Sequence, residues 1–499
     1  MTAPRIAILT GNNVLIDARA LRYIQAAGEL GYDAIGIGIQ PTGPDTEEHT
    51  VPGGRVIIKR TPNRMSGRGA TQRRHAWFNA LAPFAWKADP GTVRALAAHL
   101  RRDSASGLGN PPSRLVRRVY SSWLSLAARL RQTGSTRRAG GGEPQSPFLE
   151  DGAITPTERR RRRALAWYRA FPLAARWRTV VPDRIASEIA LAPLLDQLQP
   201  DIIHVHDVFQ LGVGAWARAR AAQAGRACAL VYDAREDVSG LAVTAPRTVA
   251  ALANLEREFI GYYPRIVTVS ESLADLLVRR YHLRRRPDLV LNAPVAGPKR
   301  PDSPDIRLAA GLPDGVPLMV YGGGVNATRG IQTAIRALPL VPELHLAVVI
   351  RDTRWMPAAL TGLAQSLGVS DRFHAVPFVE HDQVVNYLAS ADIGISPLLH
   401  APNHDVALTN KFCEYLVAGL PIITSDTPEQ ARLVDDLGIG AVYPAGDPAT
   451  LAAAARQVLD NLPDLKRRIA EDTALRQRFS WPAQQSVLER VWRESLGGS

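Results

Sequence analysis

The stretch TNKFCEYLVAGLP, residues 409–421, decides the predicted fold. It lies between two apolar strand candidates, residues 393–396 and 422–424. Its Thr-Asn start can cap a short helix, Gly419 can end that helix in the left-handed conformation, and Pro421 prevents its continuation. A strand, a short helix and a second strand in this order indicate a parallel α/β sheet.

Lys411 and Glu414 are the chemically informative side chains of this helix. They are three positions apart, so they lie on one face near the positive end of the helix. A cation beside free N–H groups suits a diphosphate, and a carboxylate one turn further suits a ribose diol. The alternative is an ordinary amphipathic helix with a solvent-exposed Lys–Glu pair.

Length and composition set broad limits. With 499 residues, of which 46% are hydrophobic, the chain can form two or three globular domains. No run approaches the ~20 apolar residues of a membrane span, and the N-terminus leads directly into a strand candidate, so no signal peptide is expected. Cys228 and Cys413 predict neither a disulfide framework nor a zinc site, which fits a reducing cytoplasm.

The net charge of +13 is concentrated in one segment. Residues 55–184 hold 27 Lys and Arg against 7 Asp and Glu, with five of the nine tryptophans. Arg with Trp at helical spacing is typical of a segment that lies on an anionic membrane surface. The alternatives are a solvated helical face and tryptophans that pack a subdomain. Nucleic-acid binding is disfavoured, because no recognised motif accompanies the arginine run at residues 159–163.

Regions of βα alternation flank this segment. The first 60 residues alternate strand and helix candidates, at Arg5–Thr10, Asp17–Leu30, Asp33–Ile39 and Arg55–Lys59. Residues 61–182 break the pattern, which resumes at Ile185. Later, the loop GGGVNATRG at residues 322–330 joins a strand candidate to a helix candidate. Its glycines let backbone approach a ligand and Arg329 adds a cation, unless that arginine only starts a helix in solvent.

These features resemble the family 4 glycosyltransferases of the GT-B fold, through Asn-Lys-x-x-Glu-Tyr at residues 410–415 and Gly-x-Pro before a strand. The resemblance implies an α/β architecture with two Rossmann-like parallel-sheet domains that face a cleft. The implied parts are an N-terminal acceptor domain at 1–294 with an Arg/Trp-rich helical insertion at 61–182, a donor-binding domain at 305–480, and a helix at 481–499 that crosses back.

The resemblance also implies site residues. Lys411 and Arg329 would neutralise the donor diphosphate, Glu414 would hold the ribose hydroxyls, and His206 would reach the reacting sugar. The implied donor-binding set is Gly11, Gly323, Gly324, Arg329, Asp405, Leu408, Thr409, Asn410, Lys411 and Glu414. The implied acceptor-side set is Asn12, Asp17, Arg19, Asp207, Arg235 and Glu236.

Three positions depart from the family pattern. The first glutamate of the usual Glu-x7-Glu pair would fall at Val406, where Asp405 or His404 could substitute. An early arginine of the glycine loop is replaced by Gly324, and a usual histidine is replaced by Arg235. These departures keep open a catalytically weak scaffold that binds a nucleotide sugar or glycan. An epimerase on the same fold is disfavoured by the motif at 410–415.

The implied reaction moves a sugar from a nucleotide-diphosphate sugar to a glycan or lipid-linked acceptor, with retention of configuration and without a metal or other cofactor. A zinc site at His204 and His206 is disfavoured for want of a third ligand. With its basic insertion, the protein is expected in the cytoplasm, peripheral on the inner face of the cytoplasmic membrane. The sugar, the nucleotide base and the acceptor stay open.

Overall fold

The computed structural model describes residues 3–61, 156–241, 245–351 and 356–497. Its strands form two separate, mainly parallel sheets, each flanked by helices. The chain is therefore built from two α/β domains, as the βα alternation predicts. Most of the predicted insertion, including Trp77, Trp86 and Trp123, lies outside the described residues.

The first sheet has eight strands in the order β3-β4-β2-β1-β5-β6-β7-β8. Their bounds are β1 Arg5–Leu9, β2 Asp33–Gln40, β3 Thr46–Val51, β4 Gly54–Arg60, β5 Ile202–Val205, β6 Ala229–Ala234, β7 Arg265–Thr268 and β8 Asp288–Leu289. Only β3 is antiparallel to its neighbour among these strands. Strand β3 was not predicted, because its residues alternate between exposed and half-buried and carry no apolar run.

Before the second sheet, the described residues contain seven α-helices that accompany the first sheet. Their bounds are α1 Ala18–Glu29, α2 Pro156–Ala170, α3 Trp177–Val180, α4 Asp183–Leu198, α5 Leu211–Gln223, α6 Pro246–Phe259 and α7 Glu271–Tyr281. One core layer packs residues of α4, α5, α6 and α7 on the sheet. The opposite layer packs α1 and the C-terminal helix on it. Both faces of a parallel sheet are thus covered, which explains its nearly continuous apolar strands.

The second sheet has six parallel strands in the order β11-β10-β9-β12-β13-β14. Their bounds are β9 Leu318–Gly322, β10 His345–Ile350, β11 Phe373–Pro377, β12 Ile393–Ser396, β13 Ile422–Ser425 and β14 Gly440–Tyr443. The helices of this half are α8 Ile306–Ala309, α9 Ile331–Ala337, α10 Ala358–Ser366, α11 Val384–Leu388, α12 Pro402–Val406, α13 Asn410–Val417, α14 Pro428–Leu437, α15 Pro448–Asp460, α16 Leu462–Glu471 and α17 Thr473–Arg478.

The last helix, α18, spans Trp481–Gly497 and packs on the first sheet. Trp492 is fully buried there, with its ring against Tyr23 and Tyr32. Its indole N–H donates a hydrogen bond of 3.0 Å to Nδ1 of His204. The C-terminal helix therefore belongs structurally to the first domain. Within the described ranges, no helix has both the length and the apolar character needed to cross a bilayer.

The described end of the insertion packs on α6. Trp177 is buried, and its indole N–H donates to Glu258 at 2.9 Å. Arg178 binds the same carboxylate through two hydrogen bonds of 2.7 and 2.8 Å. Trp167, by contrast, is 51% exposed. Trp177 thus packs a subdomain, and Trp167 is exposed enough to contact a partner.

Glu256 predicts a pH dependence of stability. This fully buried residue of α6 accepts hydrogen bonds from Tyr232 (2.8 Å) and Tyr281 (2.6 Å). Burial raises the pKa of Glu256 from 4.5 to about 7, although both tyrosines oppose the shift. The folded state therefore holds the proton more tightly than the unfolded state. The stability that this proton supplies is complete below about pH 4.5 and is lost as the pH rises through about 7.

Replacing Glu256 with glutamine is therefore expected to stabilise the protein at pH 8 by about 3 kcal/mol, and to change little at pH 4.5. Urea unfolding at the two pH values measures the difference. Glu471→Gln, at an exposed position, is the matched control and is expected to be neutral at both. An equal effect of Glu256→Gln at pH 4.5 and pH 8 would show that the carboxyl does not titrate as described.

Candidate active site

Helix α13 begins at the carboxyl edge of the second sheet, where ligands bind in parallel α/β folds. Thr409 holds its N-cap position but makes no side-chain capping bond, because its hydroxyl donates to Gln430 at 3.1 Å. The first N–H groups of the helix thus lack a capping side chain. Gly419 follows the last turn with φ of +79°, the left-handed end that the sequence predicts.

Lys411 lies directly over the glycine loop. An ideal Cβ built on Gly323 would lie 1.8 Å from Cε of Lys411 and 2.6 Å from its Nζ. Any side chain at position 323 would therefore displace the lysine. At Gly324 an added Cβ meets nothing within 4 Å. The two predicted donor-side glycines thus differ: Gly323 makes room for the lysine, and Gly324 leaves open space.

Arg329 ends a short 3-10 turn, Ala327–Arg329, that is capped by the side chain of Asn326. The next residue must be glycine, since Gly330 has φ of +70° and an added Cβ would lie 1.7 Å from the carbonyl oxygen of Pro397. The Nε atom of Arg329 is buried and has no hydrogen-bond partner among the described residues. A half-buried guanidinium with an unused donor is suited to an anionic ligand.

The charges of this site are close together but not paired. Burial lowers the pKa of Lys411 and the nearby Arg329 lowers it further, while Glu414 opposes both. Burial raises the pKa of Glu414, against the effects of Lys411 and Arg22. No ion pair joins Lys411 to Glu414 in the part of the chain that the structure describes. Both are half-buried, so the alternative of a solvent-exposed pair does not apply.

Tyr415, the last residue of the motif, holds this arrangement in place. It is fully buried, and its hydroxyl accepts from the N–H of Gly322 at 3.0 Å and contacts the carbonyl oxygens of Val320 and Ile395. Gly394 provides the space, because a Cβ there would lie 2.3 Å from the tyrosine ring. Tyr415 thereby ties α13 to β9 and β12. No role was predicted for this tyrosine from the sequence, although it belongs to the motif at residues 410–415.

The loop before α13 is organised by histidines. His400 contacts Asp405 at 2.8 Å and Asp426 at 3.0 Å, and these carboxylates raise the pKa of His400 despite partial burial. His404 is instead directed to the carbonyl oxygen of Leu399, at 2.8 Å. Asp405 is therefore held by His400 and is only partly available as a substitute for the missing glutamate.

The remaining predicted donor residues of this loop differ in their accessibility. Leu408 has a buried side chain, so only its backbone can serve a donor. Asn410 is exposed and accepts a hydrogen bond from Asn292, which begins the connection between the two domains. The side chain of Asn410 can therefore make a polar contact with a bound sugar donor, whereas the side chain of Leu408 cannot.

The first domain contributes polar groups from the carboxyl edge of its sheet. The N–H of Gly11 donates to Asp207 at 2.6 Å, and Asn12 is exposed. Arg235 pairs with Asp17 at 3.2 Å, so the arginine that replaces the family's histidine is held by a carboxylate.

Two carboxylates on this edge have raised pKa values. Burial raises the pKa of Glu236 and of Asp207, in both cases against the charge of Arg235. Asp17, Arg235, Glu236, Asp207 and Asn12 therefore lie along one polar edge of the first domain, and their contact with an acceptor stays a prediction.

Arg19 does not belong to this edge, contrary to the prediction. It is buried, its guanidinium binds Asp233 at 2.7 and 3.1 Å, and it also donates to the carbonyl oxygens of Val290 and Leu291. The carboxylate of Asp233 keeps the pKa of Arg19 above its ordinary value, although burial acts in the opposite direction. Arg19 thus joins β6 to the chain after β8, as a structural contact.

His206 is also enclosed, contrary to the expectation that it reaches a sugar. None of its surface is exposed, and its ring lies edge-on to Tyr23 at 4.5 Å. Burial lowers the pKa of His206 well below its ordinary range, so the imidazole is neutral. A sugar could reach it only after the surrounding side chains move.

His204, His206 and Asp233 place one potential metal-ligand atom each within 4.8 Å of one another. Asp233 is the third group that the sequence analysis did not find. Both of its oxygens, however, are bound by Arg19. Nδ1 of His204 accepts the indole N–H of Trp492, which leaves the proton of the neutral ring on Nε2. These residues therefore do not fit a metal ion.

Two segments of the chain match families of glycosyltransferases. Residues 316–461 match the model described as Glycosyl transferases group 1, and residues 149–293 match the model described as Glycosyltransferase Family 4. The two segments together cover more than half of the chain. The chain is a family 4-like glycosyltransferase with the GT-B fold.

Curated relatives of this glycosyltransferase are themselves named as glycosyltransferases. The 2-deoxystreptamine N-acetyl-D-glucosaminyltransferase of Streptomyces fradiae is 26% identical over 319 residues, which are 58% of this chain and 72% of the relative. The D-inositol 3-phosphate glycosyltransferase of Xylanimonas cellulosilytica is 25% identical over 193 residues, 38% of this chain. That match spans only 45% of the relative's length.

Solved structures agree on the fold over the whole glycosyltransferase chain. Sucrose-phosphate synthase of Thermosynechococcus elongatus superposes with a TM-score of 0.61 at 14% identity, over 99% of this chain and 100% of the other. An E. coli trehalose-6-phosphate protein solved with UDP-2-fluoro glucose superposes with a TM-score of 0.56 at 11% identity, over 99% of both chains. At these identities the likeness establishes the GT-B architecture and nothing finer.

Proposed function

We propose that the protein transfers a sugar from a nucleotide-diphosphate sugar to a hydroxyl group of a glycan or lipid-linked acceptor. One observation carries this proposal: Lys411 and Arg329 lie close together at the start of α13, and neither has an ion-pair partner among the described residues. Two neighbouring, partly buried cations repel each other, and a bound anion relieves that repulsion. A diphosphate at a helix N-terminus supplies the matching charge.

In the proposed reaction, Lys411 and Arg329 stabilise the negative charge that develops on the departing nucleoside diphosphate. Glu414 accepts hydrogen bonds from the ribose. The acceptor hydroxyl attacks from the face that the diphosphate leaves, its proton passes to a leaving phosphate oxygen, and the configuration at the sugar is retained. Neither a side-chain nucleophile nor a metal takes part.

The acceptor lies, in this proposal, against the polar edge formed by Asp17, Arg235, Glu236, Asp207 and Asn12. Carboxylates and a guanidinium bind the hydroxyl groups of a glycan through directional hydrogen bonds. The relatives named for inositol phosphate and 2-deoxystreptamine act on polyhydroxylated rings. A hydroxyl-rich acceptor is common to both, and this edge has the groups to bind one.

The donor screen is the experiment that tests this function. Purified protein is mixed with UDP-, GDP-, ADP- and dTDP-sugars, and the thermal midpoint and the release of nucleoside diphosphate are measured. UDP-sugars come first, because the E. coli protein of the same fold was solved with one. Selective stabilisation with slow hydrolysis supports the proposal. The absence of a response to every donor would contradict it.

A catalytically weak scaffold that binds a nucleotide sugar is the second candidate. Position 406 favours it, because the family's first glutamate is replaced by Val406, whose side chain packs against the core of the first domain. Stabilisation by a donor without hydrolysis, and without transfer to any acceptor in a glycan panel, is the result expected of a scaffold. Measurable turnover excludes it.

Membrane association is the third part of the proposal, with the protein peripheral on the inner face of the cytoplasmic membrane. Trp167 and Phe171 are 51% and 57% exposed and in ring contact with each other, next to the arginine-rich α2. Arg160 and Arg163 on the same helix are also exposed. Exposed aromatic rings beside arginines suit an anionic bilayer surface.

Replacing both Trp167 and Phe171 with alanine is expected to weaken binding to vesicles of 30% anionic lipid by about tenfold. Vesicle sedimentation measures this loss of binding. Binding of the unaltered protein is expected to weaken as the salt concentration rises toward about 0.5 M. Leu308→Ala, at an apolar position that is 80% exposed on α8, is the control and is expected to bind normally. Failure of the unaltered protein to sediment with vesicles at low salt would refute the proposal.

A further inference from the structure

We propose that Glu429 is a positioning residue that holds the two domains together through a contact with the first helix turn after β7. The inference rests on the proposed function, because it assigns to Glu429 the task of keeping the acceptor edge opposite the donor site. It assigns no contact between Glu429 and either substrate.

Glu429 lies in the first turn of α14 in the second domain, and only 2% of its side chain is exposed. Its Oε2 atom accepts the backbone N–H of Ser272 at 3.0 Å and also the hydroxyl of Ser272. Its Oε1 atom accepts from Arg432 at 3.2 Å. Ser272 belongs to the first turn of α7 in the first domain, so this carboxylate bonds directly across the cleft.

The position of Ser272 makes the contact electrostatically favourable. The N–H groups in the first turn of a helix carry partial positive charge, and a carboxylate near them is stabilised. The intrinsic cap of α7 is Ser270, whose Oγ accepts the N–H of Leu273 at 3.2 Å. The backbone N–H of Ser272 therefore finds its hydrogen-bond acceptor in the second domain, in the carboxylate of Glu429.

Two further contacts lie beside this one. The Ser270 hydroxyl donates to the carbonyl oxygen of Val406, whose side chain packs on the first-domain core. The N–H of Asp237 donates to Oδ1 of Asn403 at 2.9 Å. Val406 and Asn403 are both on α12, the short helix just before the donor helix α13. Glu429, Val406 and Asn403 together form what we call the clasp.

The clasp gives a reason for valine at position 406, where the family pattern has a glutamate. Val406 is half-buried, and a charged side chain there would lose part of its hydration against the apolar core of the first domain. Valine instead gains burial when the domains are closed and loses it when they open. The closed arrangement of the two domains is therefore supported by two contacts: the apolar contact of Val406 on α12, and the hydrogen bonds of Glu429.

The test combines Glu429→Ala, Glu429→Gln, Ser272→Ala and the Glu429→Ala/Ser272→Ala double variant. The measured quantities are hydrogen exchange at the Ser272 and Leu273 amides, the radius of gyration by X-ray scattering, the affinity for UDP and GDP, and kcat/KM for the acceptor. Asp436→Asn is the matched control, because Asp436 binds the other end of Arg432 but makes no cross-domain contact that the structure records.

Glu429→Ala is expected to speed exchange at these amides, to raise the radius of gyration and to lower kcat/KM by about 10- to 100-fold. The affinity for the nucleotide is expected to stay within about twofold, since the donor residues are untouched. Glu429→Gln keeps one acceptor oxygen and is expected to lie between Glu429→Ala and the unaltered protein. The double variant is expected to be little worse than Glu429→Ala alone, because Ser272 and Glu429 act as a pair.

Fully additive effects of the two single substitutions, or unchanged exchange at Ser272 in Glu429→Ala, would overturn the inference. Exchange and scattering require no activity. A protein that fails to bind any nucleotide would therefore refute the proposed function while the clasp could still be demonstrated by the other two measurements. If Glu429→Ala changes neither amide exchange nor the radius of gyration while the protein binds nucleotide normally, the clasp is refuted and the proposed function is not.

Discussion

Replacing Lys411 with alanine is expected to lower the rate of sugar transfer by about 10²–10³-fold and to leave the fold intact. The lysine lies in the first turn of α13 over the glycine loop, and without it Arg329 alone would face the departing diphosphate. Burial lowers the pKa of Lys411, so its charge is held at a cost to the folded state. The thermal midpoint of the variant is therefore expected to equal or exceed that of the unaltered protein.

Two measurements test this result together: turnover with the donor identified by the screen, and thermal unfolding by circular dichroism. Lys299→Ala, at an exposed position in the linker, is the control and is expected to retain full activity. A Lys411→Ala protein with near-normal turnover would remove Lys411 from the site. A protein that unfolds at a much lower temperature would show that the lysine has a structural role instead.

The second large effect is expected from Gly323→Ala. The added methyl group would lie 1.8 Å from Cε of Lys411, so the flexible lysine must move away while the backbone, which has no positive φ here, can stay. Misplacing a phosphate-binding cation by an ångström or more is expected to reduce transfer by about 10²-fold, with little loss of stability.

Gly324→Ala is the matched control for this substitution. The neighbouring position is also a loop glycine, but an added Cβ there meets nothing within 4 Å. The resemblance to family 4 implies that an arginine often stands at this position, where Gly324 is found here. We therefore expect Gly324→Ala to keep most of its activity in the same hydrolysis assay. Equal losses in the two variants would indicate that the whole loop, and not the position of Lys411, limits the reaction.

The local structure of the proposed donor side was predictable from the sequence, because its parts are close together in the chain. The helix start, the left-handed glycine and the spacing of Lys411 and Glu414 all lie within 13 consecutive residues, and local rules govern each of them. The predicted side-chain cap did not form, because the Thr409 hydroxyl donates to Gln430 of a different helix. The glycine loop likewise follows an apolar strand directly. The structure adds that Gly323 makes room for Lys411 and that Tyr415 joins the helix to two strands.

The first domain was less predictable, because the same residue types serve as core contacts there. Arg19 is buried by Asp233, a partner 214 positions away along the chain. His206 is covered by Tyr23 of α1, in the layer that the C-terminal helix completes with Trp492. No local pattern distinguishes a histidine at the open end of a strand from one that a distant helix covers.

The sequence by itself determined the two-domain α/β architecture and the local segments from which the proposed donor site is built, because periodicity and turn residues act over short distances. Only the tertiary structure decided which charges remain unpaired. Pairing depends on segments far apart in the chain, as in Arg235 with Asp17 or Ser272 with Glu429. Whether a charged group binds a ligand or the protein itself is therefore set when the two domains fold and meet.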